Sequence, residues 1–425
     1  MKDTLKMGLR SLVYRRKQYT SLMLVCMFGI GISLFCLFLV DGMLESLQNK
    51  ARIYYGGDYL FQGGDWNYDQ LEPEDNLEVL KNTFPGESIF SKRFHFDAAN
   101  SAFYYEGVGV RMRVIQGIDF TAEKDLFATL NYREGSAADM AGSDGILLSA
   151  PIADMLEVHA GDEITFMLYT NNWAVNTVSL VVKGIFQDSS LFGMYTAYMD
   201  IDCLKAAYGY PSNWCNRICI TVPSDEDMGA DYYQAELEKY FTMYPQVDDK
   251  QLFYDHRAEL EFPNYALIKL SANLQDVQIL IDAMKLISSL VILILVIIIV
   301  AGVSSSFRVI AMKRINEIGI YKAIGMKRQG VLSMLLTESS LLVTSGCIAG
   351  FLFSLLLSGI IRIFNFSFIP AFDIFLNNGS LKPIVNGWYV LILSAAVIVT
   401  TLVAVLFSVR KSVTVTPCEA LSVNE

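Results

Sequence analysis

Four runs without a single charged side chain constrain this 425-residue sequence more than any other feature: residues 18–40, 286–307, 339–361 and 383–409. A helix of about 22 residues rises roughly 33 Å, enough to cross the hydrocarbon core of a bilayer. The runs are unevenly spaced. Some 245 polar, net-acidic residues (41–285) separate the first two, whereas the later connections are short. This pattern predicts an α-helical membrane protein with four transmembrane helices and a large α+β extracytoplasmic domain between helices 1 and 2.

Lys and Arg accumulate on the cytoplasmic side of short flanks. Residues 1–17 hold six basic side chains against one acidic, residues 308–338 six against two, and residues 410–425 two against two. Residues 41–285 hold 17 basic and 38 acidic side chains, a net of −21. The expected topology therefore puts both termini and 308–338 in the cytoplasm, with 41–285 and the short loop 362–382 outside. Charge also argues against nucleic-acid binding, since the whole sequence carries a net −11.

The first run follows six basic residues, as a secretory leader would. It is 23 residues long, however, and is followed by Asp41-Gly42-Met43-Leu44-Glu45 rather than a small-x-small exit, which favours a retained span. Ahead of it, Leu5, Leu9, Leu12 and Val13 recur at helical spacing among basic residues. That flank reads either as an amphipathic helix in the membrane interface or as a plain topogenic signal.

Within 41–285, residues 112–118, 145–148, 163–169, 177–186 and 217–221 read as strands, and 151–156, 204–208 and 231–240 as helices. The stretch 54–74 has little periodicity and is expected to be a long loop or an irregular strand pair. From about 254 to 285 the pattern turns helical, as a stalk leading into the second span. Catalytic chemistry is hard to find. His95, His159 and His256 are scattered and read as isolated polar surface or loop residues, so no metal or catalytic cluster is expected. Cys203, Cys215 and Cys219 lie where a disulfide is permitted, yet three cysteines leave one over and strand-like flanks would equally bury them as thiols.

The spans themselves carry small-residue pairs: Gly346 and Gly350 in the third, Ala301 and Ser305 in the second. Such spacing lets helix backbones approach closely. With no ionisable residue inside any run, an intramembrane ion relay is not expected. Four such helices make a plausible half of a two-subunit permease rather than a transporter acting alone.

The segment 308–338 is the most distinctive. Lys313 and Arg314 precede Glu317 by four and three residues and can pair with it across helical turns. Gly319 and Gly325 permit close approach and a turn, and Ile318, Ile320 and Ile324 form a short apolar face, together implying a small helix at the cytoplasmic mouth. The block Arg314-x-x-Glu317-Ile318-Gly319-x-x-x-Ala323-x-Gly325, then Glu338 and a closing Pro417-x-x-Ala420-Leu421, resembles the FtsX-like permeases of ATP-binding-cassette systems, the MacB and lipoprotein-releasing type. Residues 146–163 and 181–186 resemble the same family's extracytoplasmic strand, helix and Gly-Asp turn. Asn316 stands where a basic residue is common.

The resemblance implies a non-enzymatic permease subunit of a bacterial inner membrane. A separate cytoplasmic ATPase dimer would bind ATP and Mg, and its closure would reach the permease through Lys313, Arg314, Glu317, Ile318, Gly319, Ala323 and Gly325. No Gly-x-x-x-x-Gly-Lys-Ser/Thr motif occurs here, so no cofactor is expected in this chain. A second permease subunit, identical or related, and a periplasmic or outer-membrane partner are implied as well. Two functions follow from the family: lipoprotein release or export of a peptide or amphiphile, or alternatively force transmission to an envelope protein such as a peptidoglycan hydrolase.

Overall fold

The computed structural model describes Tyr14, residues 16–190 and residues 192–410. The N-terminal flank up to Val13 and the tail motif Pro417, Ala420 and Leu421 lie outside the described residues. The chain divides into two compact units: Met1–Met43, Ile281–Phe364 and Ser380–Glu425 form one, and Leu44–Leu280 with Asn365–Gly379 form the other.

The first unit is helical. Its elements are the first part of α1 (Arg16–Tyr55, of which 44–55 belong to the other unit), most of α2 (Gln275–Lys313, of which 275–280 belong to the other unit), the short α3 (Ile315–Ala323), α4 (Arg328–Ile361) and α5 (Gly387–Val409). Among the described residues, α1, α2, α4 and α5 are long and apolar enough to cross a membrane. The first three overrun the charge-free runs that announce them, because a helix continues through charged residues once they leave the apolar layer. The fourth starts late. Pro383 lacks an N–H and the chain there is not helical; Ile384 N–H donates instead to the Phe38 carbonyl at 2.9 Å. Asn386 then caps α5 by accepting from the Trp388 N–H at 3.0 Å.

Leu22, Cys26, Ile30, Leu34 and Phe38 of α1 form one buried stripe at helical spacing, packed with Ile299, Val303 and Phe307 of α2 and Leu342 and Val343 of α4. Leu286, Leu290, Leu293 and Ile297 of α2 point outward. A helical layer that exposes such side chains is made for a hydrocarbon surround. Where α1 meets α4, a Cβ at Gly346 would sit 2.5 Å from Cys26 Cβ, and one at Gly350 3.0 Å from Ile30 Cβ. Van der Waals contact between backbones replaces the missing side chains there. Ala301 and Ser305, by contrast, are exposed in this chain and touch no such partner; Ser304 faces α5, donating to the Ala404 carbonyl at 3.2 Å.

The second unit is built on one mixed sheet. Its strands are β1 (Tyr59–Gly64), β2 (Ile89–Asp97), β3 (Ala102–Tyr105), β4 (Val108–Arg111), β5 (Val114–Ile118), β6 (Tyr132–Gly135) and β7 (Gly145–Ser149). They continue as β8 (Glu163–Tyr169), β9 (Val175–Phe186), β10 (Thr196–Asp200), β11 (Arg217–Thr221), β12 (Thr242–Met243) and β13 (Asn264–Lys269). The order is β12-β13-β1-β11-β2-β5-β10-β7-β9-β8-β3-β4, with β6 paired to β9. One core gathers Phe94, Phe103, Phe166, Leu180 and Met199 under the helices Ala150–Leu156 and Ile201–Tyr208. A second gathers Phe61, Leu80, Ile218, Tyr233 and Leu267.

The stretch expected as a loop or irregular pair contains β1, a fully buried strand between β13 and β11. Tyr59 and Phe61 enter one core and Leu60 another, so both faces are covered and the polar-apolar alternation that would mark a strand disappears. The connection 362–382 also differs from a simple loop. Its part Asn365–Gly379 belongs to this unit, with a 3₁₀ turn at Pro370–Phe375. There Asp373 is buried, 3.1 Å from Lys50 Nζ and accepting from the Ser189 N–H at 2.8 Å.

Cys203, Cys215 and Cys219 are free thiols, and burial pushes all three up to about 12. Two histidines are exposed and pair with carboxylates, His159 with Glu134 at 3.1 Å and His256 with Glu259 at 3.0 Å. His95 departs from the surface reading: it lies on β2 with its Nδ1 buried and unbonded. No group of three or more metal-ligating side chains occurs among the described residues.

Arg93 is wholly buried on β2 and pairs with Glu123, donating from Nε to Oε1 at 2.8 Å. Its Nη1 also donates to the Tyr54 carbonyl at 3.0 Å, which Gln116 Nε2 reaches at 2.8 Å. Tyr54 is in the last turn of α1, where carbonyls lack helical partners. Two side chains of the sheet thus satisfy the end of that helix.

Candidate coupling site

The helical path breaks at Arg314, whose backbone leaves helical geometry between α2 and α3. It breaks again after Ala323, where Gly325 adopts a φ of +100°, a conformation glycine takes without steric cost. Between the two breaks α3 is held as a separate short helix, and its seat is electrostatic.

Arg314 is 4% exposed as a side chain and Glu338, just over two turns beyond Gly330 on α4, is 0% exposed. Arg314 Nη1 donates to Glu338 Oε2 at 2.7 Å, and Tyr19 of α1 donates its hydroxyl to the same oxygen at 3.2 Å. Arg314 Nε donates to Glu317 Oε2 at 3.0 Å, and that carboxylate is 40% exposed. One guanidinium therefore joins α3 to α4, with α1 attached through Tyr19. Glu338 Oε1 is buried and accepts no hydrogen bond. A buried ion pair gives little net stability, because desolvating both charges offsets their attraction, but losing one partner strands the other and costs about 3–5 kcal/mol. The pair fixes position more than it adds stability.

The residues singled out from the sequence fall on two sides of this seat. Arg314 and Glu317 are in the network, and Ile318 and Gly319 are buried by the chain itself. Lys313, Ala323 and Gly325 are exposed. Ile320, 48% exposed, and Ile324, 80% exposed, add an apolar outward surface to α3. Gly319 is thus buried within the chain, and Ile320, Ala323 and Ile324 are exposed. Sequence reasoning missed the Arg314–Glu338 pairing and the part played by Tyr19. The available signal was Glu338 itself, an acid at the edge of a long apolar run.

These features define a membrane-embedded helical unit that holds a short helix on a buried ion pair and carries a separate sheet-rich unit. Residues 287–417 match the family model described as FtsX-like permease C-terminal. That segment is thus similar to an FtsX-like permease C-terminal domain, a domain of ABC-transporter permeases, in line with the resemblance seen in the sequence. The matched segment contains Arg314, Glu317 and Glu338, and Tyr19 is contributed from outside it. Such permeases are in general non-enzymatic transport subunits that work with a partner ATPase in a membrane. No curated protein is significantly similar to the chain.

Proposed function

We propose that this chain is the permease subunit of an ABC transporter in a bacterial inner membrane, coupling ATP hydrolysis by a separate cytoplasmic ATPase to lipoprotein release or to export of a peptide or amphiphile. The observation that carries the reading is the buried Arg314–Glu338 pair inside the matched permease domain. A helix that receives a push transmits it only if its seat is stiffer than its surroundings. Here α3 is seated by a desolvated ion pair while Ile320, Ala323 and Ile324 face outward. In this scheme the ATPase dimer, which holds ATP and Mg, docks on that outward face, and a second permease subunit, identical or related, completes the complex. The displacement passes from α3 to α4 and α1, and α1 is one unbroken helix from Arg16 to Tyr55.

The test is co-purification of an ABC ATPase with the full-length chain, followed by ATP hydrolysis and transport in proteoliposomes. Ile324→Asp on the outward face is expected to leave the chain folded and to lose most of the bound ATPase. A chain that never brings down an ATPase defeats the proposal. Coupled hydrolysis without solute movement, together with activation of a peptidoglycan hydrolase, would select the force-transmitting alternative.

A further inference from the structure

The sheet-rich unit contains a half-open cleft of about 450 Å³, within the size range of small-ligand sites. Its walls come from the end of α1, the helix Lys124–Ala128 with the loop after it, the turn following β9, and the segment Leu376–Asn378. The half-buried Leu126 and Leu130, beside the edge of Ile53, make its open apolar lining. Asn131, Gln187 and Asn378 bring three side-chain amides to the same space. None of these amides makes a side-chain hydrogen bond to another described residue, and each offers both a donor and an acceptor.

The charges at the cleft are already matched within the protein. Lys50 lies 3.4 Å from Asp188 and 3.1 Å from Asp373, and Arg52 lies 2.8 Å from Asp58. No unpaired charge of either sign is left to select a charged ligand. Phe186 and Tyr198 also line the cleft, but at 1% and 2% exposure they present no ring face on which a sugar would stack. What remains is a set of aliphatic surfaces beside unpaired amides, the complement of a peptide backbone bearing aliphatic side chains.

We infer that this cleft binds a short uncharged peptide segment, through amide pairing to Asn131, Gln187 and Asn378 and burial of an aliphatic side chain against Leu126 and Leu130, beside the edge of Ile53. Calling that peptide a transported substrate or an effector rests on the permease reading; the binding itself does not. Two of the walls, the end of α1 and Leu376–Asn378, belong to chain segments that continue in sequence toward α1's apolar part and α5. Occupancy is therefore positioned to bear on the same segments that flank the candidate spans.

The experiment uses the full chain in nanodiscs, without ATPase or nucleotide, titrated by calorimetry with acetyl-Leu-Ala-Leu-amide, its Glu-Ala-Glu and Lys-Ala-Lys counterparts, and maltose. Saturable binding of the leucine peptide is expected, with the charged peptides and the sugar much weaker. Asn131→Ala combined with Gln187→Ala removes two hydrogen-bonding groups and is expected to weaken binding about tenfold. Gln187→Glu should instead raise affinity for the Lys-Ala-Lys peptide, a gain that a misfolded variant cannot produce. Absence of leucine-peptide binding, equal binding by both variants and wild type, or preference for maltose overturns the assignment. Because no ATPase is present, failure here leaves the coupling measurement on Ile324→Asp untouched.

Discussion

Arg314 and Glu338 stand 24 positions apart in sequence and share a 2.7 Å ion pair to which solvent has almost no access. Deleting either partner leaves the other charge desolvated. Glu338→Leu and Arg314→Leu are therefore each expected to destabilise the helical unit by about 3–5 kcal/mol. The double substitution removes both desolvation costs and should recover most of the loss. Thermal unfolding of the four proteins of this cycle in detergent reads the coupling directly, and additive losses in the double variant would show that the two side chains are not energetically joined. Glu317→Ala is expected to cost less, about 0–1 kcal/mol, since its carboxylate is 40% exposed.

The contact between α1 and α4 gives a second test. Gly346→Ala places a methyl group 2.5 Å from Cys26 Cβ, so one helix must shift, and overpacking of this kind costs about 1–3 kcal/mol. Gly302→Ala is the matched control, because the nearest atom to its added Cβ is Val25 Cγ1 at 3.9 Å. In a helix interior alanine is intrinsically favoured over glycine by about 1 kcal/mol. The control should therefore be neutral or stabilising while Gly346→Ala lowers the melting temperature. Equal melting temperatures for the two variants would remove close packing as the reason for glycine at 346.

The parts of this fold that can be read from sequence are those in which each residue sees the same surroundings as its neighbours of like kind. Residues 163–169 alternate between a covered and an open face, and they form β8 over that span. The apolar cores of the four long helices announce themselves by length. What escapes is whatever depends on a distant partner. β1 is hidden because β11 and β13, more than 150 residues away in sequence, cover it on either side. The burial of Arg93 and Glu123 is hidden for the same reason, since nothing local marks an arginine that will lie inside a sheet rather than on it. At the candidate coupling site Arg314 and Glu338 stand out in the sequence by their resemblance to a family motif, whereas their contact, and Tyr19's share in it, is a product of how α1, α3 and α4 pack.

The orientation proposed from the charge counts yields a labelling experiment. Trp173, on the hairpin between β8 and β9, and Ile324, just past the end of α3, are both exposed in the folded chain and are suited to single-cysteine substitution. After the native cysteines are replaced, a membrane-impermeant maleimide applied to intact cells is expected to label the Trp173→Cys chain and to reach Ile324→Cys only after permeabilisation. The opposite pattern would reverse the proposed topology and, with it, the face offered to an ATPase.

The last prediction concerns the segment between α4 and α5. Lys50 Nζ donates to the Asp373 carbonyl at 2.7 Å, and its charge is shared with the carboxylates of Asp373 and Asp188. Asp373 is 5% exposed as a side chain, so its carboxylate is held mainly by Lys50 and by the Ser189 N–H. Asp373→Ala leaves the Ser189 donor without its acceptor and Lys50 with one carboxylate in place of two. Expected is a local loss of about 1–3 kcal/mol, confined to residues 365–379 and the turn after β9. Limited proteolysis should then cut within 365–379 faster than in wild type, while peptides from β1, β11 and β13 stay protected in hydrogen exchange. Uniform acceleration of exchange across all three strands would mean that the whole unit has loosened, and that Asp373 supports the fold at large rather than the docking of one segment.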